Sequence, residues 1–304
     1  MFVVVNYLAT VLIWGSTWYV ILFQLDAAAI EVSVALRFFI AAAVLLLWGL
    51  IARRRLSVGR EHAPWIALQG TLLFCVNYML VYFGTHYVTT GLVAVLFAML
   101  IPFNILHERI FFGVRLSGGL LLAAALGIAG IVLVFWPELE ATTYDRPLLL
   151  GAAAVLAGAY SASLGNMAAI RNTRRRLPVF AINAYGMLAG ATMSLLFAWL
   201  MGRSFVIEWS QPYVWSLLYL AVPGSAIAFG SYLVLIDRIG SGRAAYANVL
   251  LPIVALIVST VFEGYRWTPL AALGVALALT GNFLILAGKL GNNASPTAKR
   301  ADSG

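Results

Sequence analysis

A chain of 304 residues that is 63% hydrophobic and only 10% charged lies far from soluble domains, which run near half apolar and a quarter charged. With a mean hydropathy of +0.96 most of it belongs in lipid, and no polar stretch longer than the 289–304 tail remains to form a soluble catalytic or nucleotide-hydrolysing domain. A net charge of +8 would suit nucleic acid, but the basic residues lie between apolar runs and read as topology markers, while the lone Cys75 excludes an intrachain disulfide and a cysteine metal cluster.

Apolar runs fall at 3–24, 32–51, 64–85, 88–112, 117–136, 147–168, 177–201, 212–236, 243–263 and 269–288. A helix crosses the hydrocarbon core in roughly 20 residues, and helices pair every backbone polar group within the segment. The expectation is an all-α integral membrane protein with ten transmembrane helices; the short alternating segments of a β-barrel are missing. The first run has no Lys or Arg before it and no small-residue cleavage site, so it reads as a true first span. The tail, residues 289–304, is expected to be disordered.

With the N-terminus in the cytoplasm, fourteen of the nineteen basic residues fall on that side, among them Arg53, Arg54, Arg55, Arg60, Arg171, Arg174, Arg175 and Arg176. Only Arg146, Arg203 and Arg266 fall opposite, and Arg37 and Arg109 lie within spans. Such a bias predicts a bacterial-type inner-membrane protein with both termini cytoplasmic. Trp48, Trp65, Trp136, Trp199, Trp209, Trp215 and Trp267 sit near span ends as an aromatic belt requires; Trp14 alone is near mid-span.

In chain order, the first run places Tyr7, Val11, Trp14 and Trp18 on one face. In the second, Arg37 lies about two turns inside the outer end, where it either snorkels to the interface or holds a substrate carboxylate by a charge-assisted bond. The third aligns Thr71, Phe74 or Cys75, Tyr78, Tyr82 and Thr85 on one face, with Asn77 beside them. Rings with hydroxyl tips suit a cavity for a planar, partly apolar solute; plain helix packing, with each hydroxyl on a neighbouring carbonyl, is the other reading. Glu108 and Arg109 lie close to the cytoplasmic end of the fourth run, where snorkelling competes with a gating or proton role. Tyr232 and Phe229 are the nearest counterparts of the tyrosines in the second half. Asn77, Asn166, Asn183, Asn248 and Asn282 need partners or water in lipid, and most are expected to bond between helices. Pro252 frees the Asn248 carbonyl and Pro102 that of Ala98, so both are expected kinks, with Pro223-Gly224 a third soft point and Gln69-Gly70 in the matching place of the third run. Substrate-binding candidates are therefore Trp14, Arg37, Asn77, Tyr78, Tyr82, Tyr232 and Asn248; gating candidates are Pro102, Pro223, Gly224 and Pro252.

Enzyme signals are poor. HERIF (107–111) begins like a zinc-protease helix but lacks the second histidine four residues on, and no nucleophile elbow, P-loop or dinucleotide loop appears in the right context. Neither a catalytic residue, a metal site nor a cofactor is expected.

Residues 89–135 and 241–288 run in parallel: small residues, a mid-helix proline, a short turn with Arg115 or Arg266, then a Gly/Ala-rich helix. NYMLVYFG (77–84) pairs more weakly with GSYLVLID (230–237). The implied unit has five helices, and an odd number inverts its second copy. The turn 25–31 has no basic residue whereas its equivalent 169–176 has four, as inversion requires. The organisation expected is 1–144 and 145–288 as two inverted repeats, a recurring plan of secondary transporters with the site between them.

IWGSTWYVI (13–21), ALRFFIAAAVLLL (35–47), YFGTHYVTTGLVAVLFAMLIPF (82–103) and ANVLLPIVALIVSTVFEGYRW (247–267) resemble the EamA family of the drug/metabolite transporter superfamily. That resemblance implies ten helices in two inverted five-helix repeats and outward transport of small metabolites. Its YddG-type aromatic amino-acid exporters fit the aromatic content. The family's acidic residue after the proline-containing helix stands here as Glu263; the first half has no match in that place, Glu108 and Arg109 being displaced upstream. The expected function is a secondary transporter exporting amino acids, including aromatic or bulky apolar ones, by alternating access or facilitated diffusion. A nucleotide-sugar or phosphate-ester carrier is one rival and an intramembrane enzyme another. Expected partners are a small-molecule substrate and the lipid bilayer, without nucleic acid; oligomeric state is open, a monomer being compatible.

Overall fold

A computed structural model describes residues 2–114, 118–134, 136, 146–239, 244 and 247–293. Those residues form helices and connections, with no strand among them. The helices are α1 (Phe2–Val20, ending in a 3₁₀ turn Ile21–Gln24), α2 (Ile30–Ile51), α3 (Ala63–Gly70), α4 (Asn77–Thr85), α5 (Thr90–Phe97), α6 (Leu100–Phe112) and α7 (Gly118–Val134). There follow α8 (Arg146–Arg174), α9 (Val179–Leu200), α10 (Gln211–Ala221), α11 (Ala228–Ile239), α12 (Ala247–Phe262) and α13 (Pro269–Asn293). Seven stretches are long and apolar enough to cross a membrane, and three shorter apolar helices, Leu121–Val134, Ala247–Phe262 and Pro269–Leu284, fall where the remaining runs were expected. α8 outruns its expected end because the polar segment after residue 168 stays helical as far as Arg174. α13 likewise runs to Asn293, into the stretch expected as tail; residues 294–304 lie outside the described part, as do Arg115, Arg243 and the expected first-repeat boundary at 144.

Two breaks in regular helix matter for the site. α3 joins α4 through a π-turn, Thr71–Val76, and α10 joins α11 through another, Val222–Ile227. Such turns interrupt the α ladder and recur at functional sites. In the second, Pro223 has no N–H to donate, and the Ser225 hydroxyl instead donates to the Leu220 carbonyl at 2.9 Å. The other prolines behave unequally. Near Pro102 the helix divides into α5 and α6, yet the Ala98 carbonyl, expected to be freed, accepts the Ile101 N–H at 3.2 Å. α12 runs through Pro252 uninterrupted.

Packing inverts the soluble pattern, with Leu47, Trp48, Leu188, Leu196, Ile257 and Val261 outward and polar side chains such as Gln24, Arg37, Gln69 and Asn172 buried. α2 lies along α9, α7 along α13, α1 against α11 and α12, and α4 and α6 against α8. The α7–α13 approach depends on glycine: a Cβ at Gly274 would come within 2.8 Å of the Val134 nitrogen.

Candidate functional site

Arg37 does not snorkel. Its side chain is 2% exposed on α2, enclosed by the 3₁₀ turn after α1, by α4 and by the second π-turn. Nε donates to the Ser225 hydroxyl and Nη1 to the Tyr82 hydroxyl, both at 3.4 Å, and the guanidinium carbon stands 4.6 Å from the Tyr78 ring centroid. Tyr82, itself fully buried, donates its proton to Gln24 Oε1 at 2.8 Å. Among the described residues no carboxylate pairs with Arg37; Glu31, two turns earlier on α2, pairs with Arg203 at 3.2 Å.

Rings from both halves of the chain adjoin this centre. Trp14 Nε1 donates to the Gly224 carbonyl at 2.9 Å, one residue from Ser225. Its ring meets Phe229 at 5.0 Å and Tyr232 at 5.3 Å, and Asn248 Nδ2 reaches the Tyr232 hydroxyl at 3.5 Å. Phe38 links the groups, 4.7 Å from Tyr78 and 5.2 Å from Phe74. Burial is graded: Gln24, Arg37 and Tyr82 are fully enclosed, whereas Trp14, Tyr78, Phe229, Tyr232 and Asn248 are half-buried.

Six of the seven residues read as substrate-binding thus fall in one connected cluster, and Pro223-Gly224 forms its wall. Asn77 stands apart. Its Nδ2 donates back to the Leu73 carbonyl at 3.1 Å, and the residue faces Gly158 of α8, where a Cβ would be 3.4 Å from Oδ1. That is a helix–helix contact. Pro102 and Pro252 lie outside the Arg37 network, Pro252 one helical turn beyond Asn248. Two members had no sequence signal: Gln24, which reads as a span terminus, and Ser225, which reads as part of a Pro-Gly soft point.

Two further polar clusters are buried. Gln69 Nε2 donates to Asn183 Oδ1 at 3.3 Å, and Asn172 Nδ2 donates to Gln69 Oε1 at 3.1 Å, tying α3, α8 and α9 together. His107 Nδ1 meets the Ser163 hydroxyl at 2.8 Å, and its ring lies 4.7 Å from Tyr160. Asn166, expected to bond between helices, does so with Asn104 at 3.2 Å. A groove of about 700 Å³ between α1 and α10 is walled by Val20, Phe23, Trp215, Leu218, Val222 and Pro223. Its lining is apolar, and Pro223 is shared between it and the wall of the ring cluster. No group of three or more His, Cys, Asp or Glu side chains placed to hold a metal occurs among the described residues.

Comparison with known proteins agrees with this architecture. The chain is 24% identical over 283 residues to "Uncharacterized transporter YoaV" of Bacillus subtilis, covering 93% of this chain and 96% of that protein. It is 28% identical over 279 residues to the "Probable terminal-alkyne amino-acid exporter" of Streptantibioticus cattleyicolor, covering 91% and 90%. A protein solved by crystallography shares the fold with a TM-score of 0.67 at 18% identity, over 96% of this chain and 98% of that one. The EamA-like transporter family matches residues 1–136 and 149–287. With both halves matched, this multi-pass membrane chain belongs to the EamA-like transporter family.

Proposed function

We propose that the protein exports amino acids, aromatic or bulky apolar ones among them, through a site between its two halves. The observation that carries this is the meeting of Trp14 with Phe229, Tyr232 and the Gly224 carbonyl, rings of the first half closing on the π-turn of the second. Stacked rings take up a planar side chain, and the neighbouring hydroxyl, amide and guanidinium groups orient its polar end.

Inverted repeats at 1–144 and 145–288 are supported by how helices pair. α1 lies against α11 and α12, and α8, its counterpart in the second half, lies against α4 and α6. Such exchange-related contacts suit alternating access, with the halves rocking about a fixed centre. The graded burial fits a site shut at the Gln24 end and less enclosed toward Tyr232 and Asn248. A phosphate-ester carrier is disfavoured because Arg37 is the only buried Lys or Arg side chain among the described residues.

Counterflow of labelled amino acids into proteoliposomes of the full chain tests this. Trp14→Ala and Tyr78→Ala are expected to weaken aromatic substrates by about 2–10-fold each, the equivalent of a stacking ring. Absence of counterflow for every amino acid, with monodisperse protein, would sink the proposal.

A further inference from the structure

We propose that Arg37 and Gln24 together form the binding site for the carboxylate of the transported solute; this rests on the reading of the protein as an amino-acid carrier. A guanidinium out of water costs several kcal/mol unless an anion compensates it. Here it has two hydrogen bonds at 3.4 Å to neutral hydroxyls and two ring faces, Tyr78 at 4.6 Å and Phe38 at 5.3 Å. These return little, since a cation–π contact is worth roughly 0.5–2 kcal/mol. Nη2 makes no hydrogen bond among the described residues; it lies 3.8 Å from where a Cβ on Gly224 would stand, a place already closed by the Thr17 methyl at 2.9 Å.

The second donor is Gln24. Its Oε1 takes the Tyr82 proton, and its Nε2 is buried with no acceptor. The reverse amide orientation would set two donors against the Tyr82 oxygen and leave the tyrosine's own proton unplaced. Arg37 and Gln24 therefore bond the same hydroxyl, each with N–H groups left over and no acceptor to receive them. A site composed of spare donors around one positive charge recognises a planar monoanion, and the guanidinium fork matches a carboxylate. Across Ser225 and Gly224 lies Trp14, so a solute anchored at Arg37 would direct its side chain to the rings. A phosphate dianion would call for a second buried cation, and the described residues supply none.

The test compares three probes on purified full-length protein: L-phenylalanine, 3-phenylpropionate and phenethylamine, read by shift of the thermal unfolding temperature and by competition in counterflow. Both carboxylates are expected to stabilise the parent chain and phenethylamine to have no effect. Arg37→Gln should lower carboxylate affinity at least about tenfold, as loss of a charge-assisted pair implies. Arg37→Lys keeps the charge and loses the fork, and Gln24→Leu removes the second donor; each should fall between, and both stand in if Arg37→Gln does not fold. Equal stabilisation by phenethylamine and 3-phenylpropionate overturns the site, as does parental carboxylate affinity in every variant, or no binding by the parent. Carboxylate binding without any counterflow would keep the site and refute the carrier; counterflow indifferent to Arg37 and Gln24 would do the reverse.

Discussion

Glu263 caps a helix that begins 173 residues before it: its carboxylate accepts the Thr90 backbone N–H at 3.1 and 3.2 Å and the Thr90 hydroxyl as well. Thr90 opens α5, and Thr89, in the N-cap position, makes no side-chain cap. The carboxylate thus supplies the negative charge that a helix N-terminus favours. Gly264, at φ +69°, ends α12 in the left-handed turn that follows Glu263. Glu263→Ala is expected to cost about 1–3 kcal/mol, the range for a charge-assisted bond, seen as a lower unfolding temperature in detergent. Thr90→Val leaves the backbone bonds and should cost less. An unchanged unfolding temperature in Glu263→Ala would mean the cap contributes nothing to the fold.

The amide chain Asn172–Gln69–Asn183 holds three helices at one end of the bundle, as Gln24–Tyr82–Arg37 does elsewhere. Hydrogen bonds between membrane helices average about 0.6 kcal/mol, so Gln69→Leu, which removes two, should favour opening at that end by roughly eightfold. A cysteine at Thr71, in a Cys75→Ala background, should then react about eightfold faster with a small thiol reagent. Equal rates with and without Gln69→Leu would make the chain a packing feature only.

Pro252→Ala restores a backbone donor to α12, which continues through the proline without a break. Thermal stability should hold or rise, while transport falls because the spare Asn248 carbonyl is lost. Asn248→Ala should slow transport too, without the gain in stability. Transport at the parental rate in Pro252→Ala would rule out a moving joint there.

Both termini are expected in the cytoplasm. Single cysteines at Ser57, Thr173 and Ser295, each in a Cys75→Ala chain, should resist an impermeant reagent added to intact cells. Ready labelling at any one of the three would reverse the orientation drawn from the arginines.

Span positions were legible because apolar run length is nearly all that lipid demands, and the helix ends fall within a few residues of the runs except after residues 288 and 168. There Asn172 stays in helix because it is buried and bonded to Gln69, a partner no local pattern announces. The aromatic face was legible from three-to-four spacing, which brought Tyr78 and Tyr82 to the cluster. Asn77 shares their helix but points elsewhere, since its amide turns back on Leu73. Arg37 was left between two roles, because burial depends on which helices surround α2 and not on its own sequence. His107 was legible only as the start of an incomplete metal motif, its partner Ser163 lying 56 residues away.

The π-turn Thr71–Val76 ties the orientation of α4 to the conformation of the segment before it. A π-turn holds one residue more than the α-turn it replaces. Were the same residues to relax into regular α with none removed, the extra residue would rotate everything after it by about 100°. Tyr78 and Tyr82 would then swing off Arg37 together, although every side chain that touches the guanidinium is still encoded. A substitution within 71–76 that favours regular α thus acts on the whole centre at once, and loss of one codon there is the change that keeps both tyrosines in register.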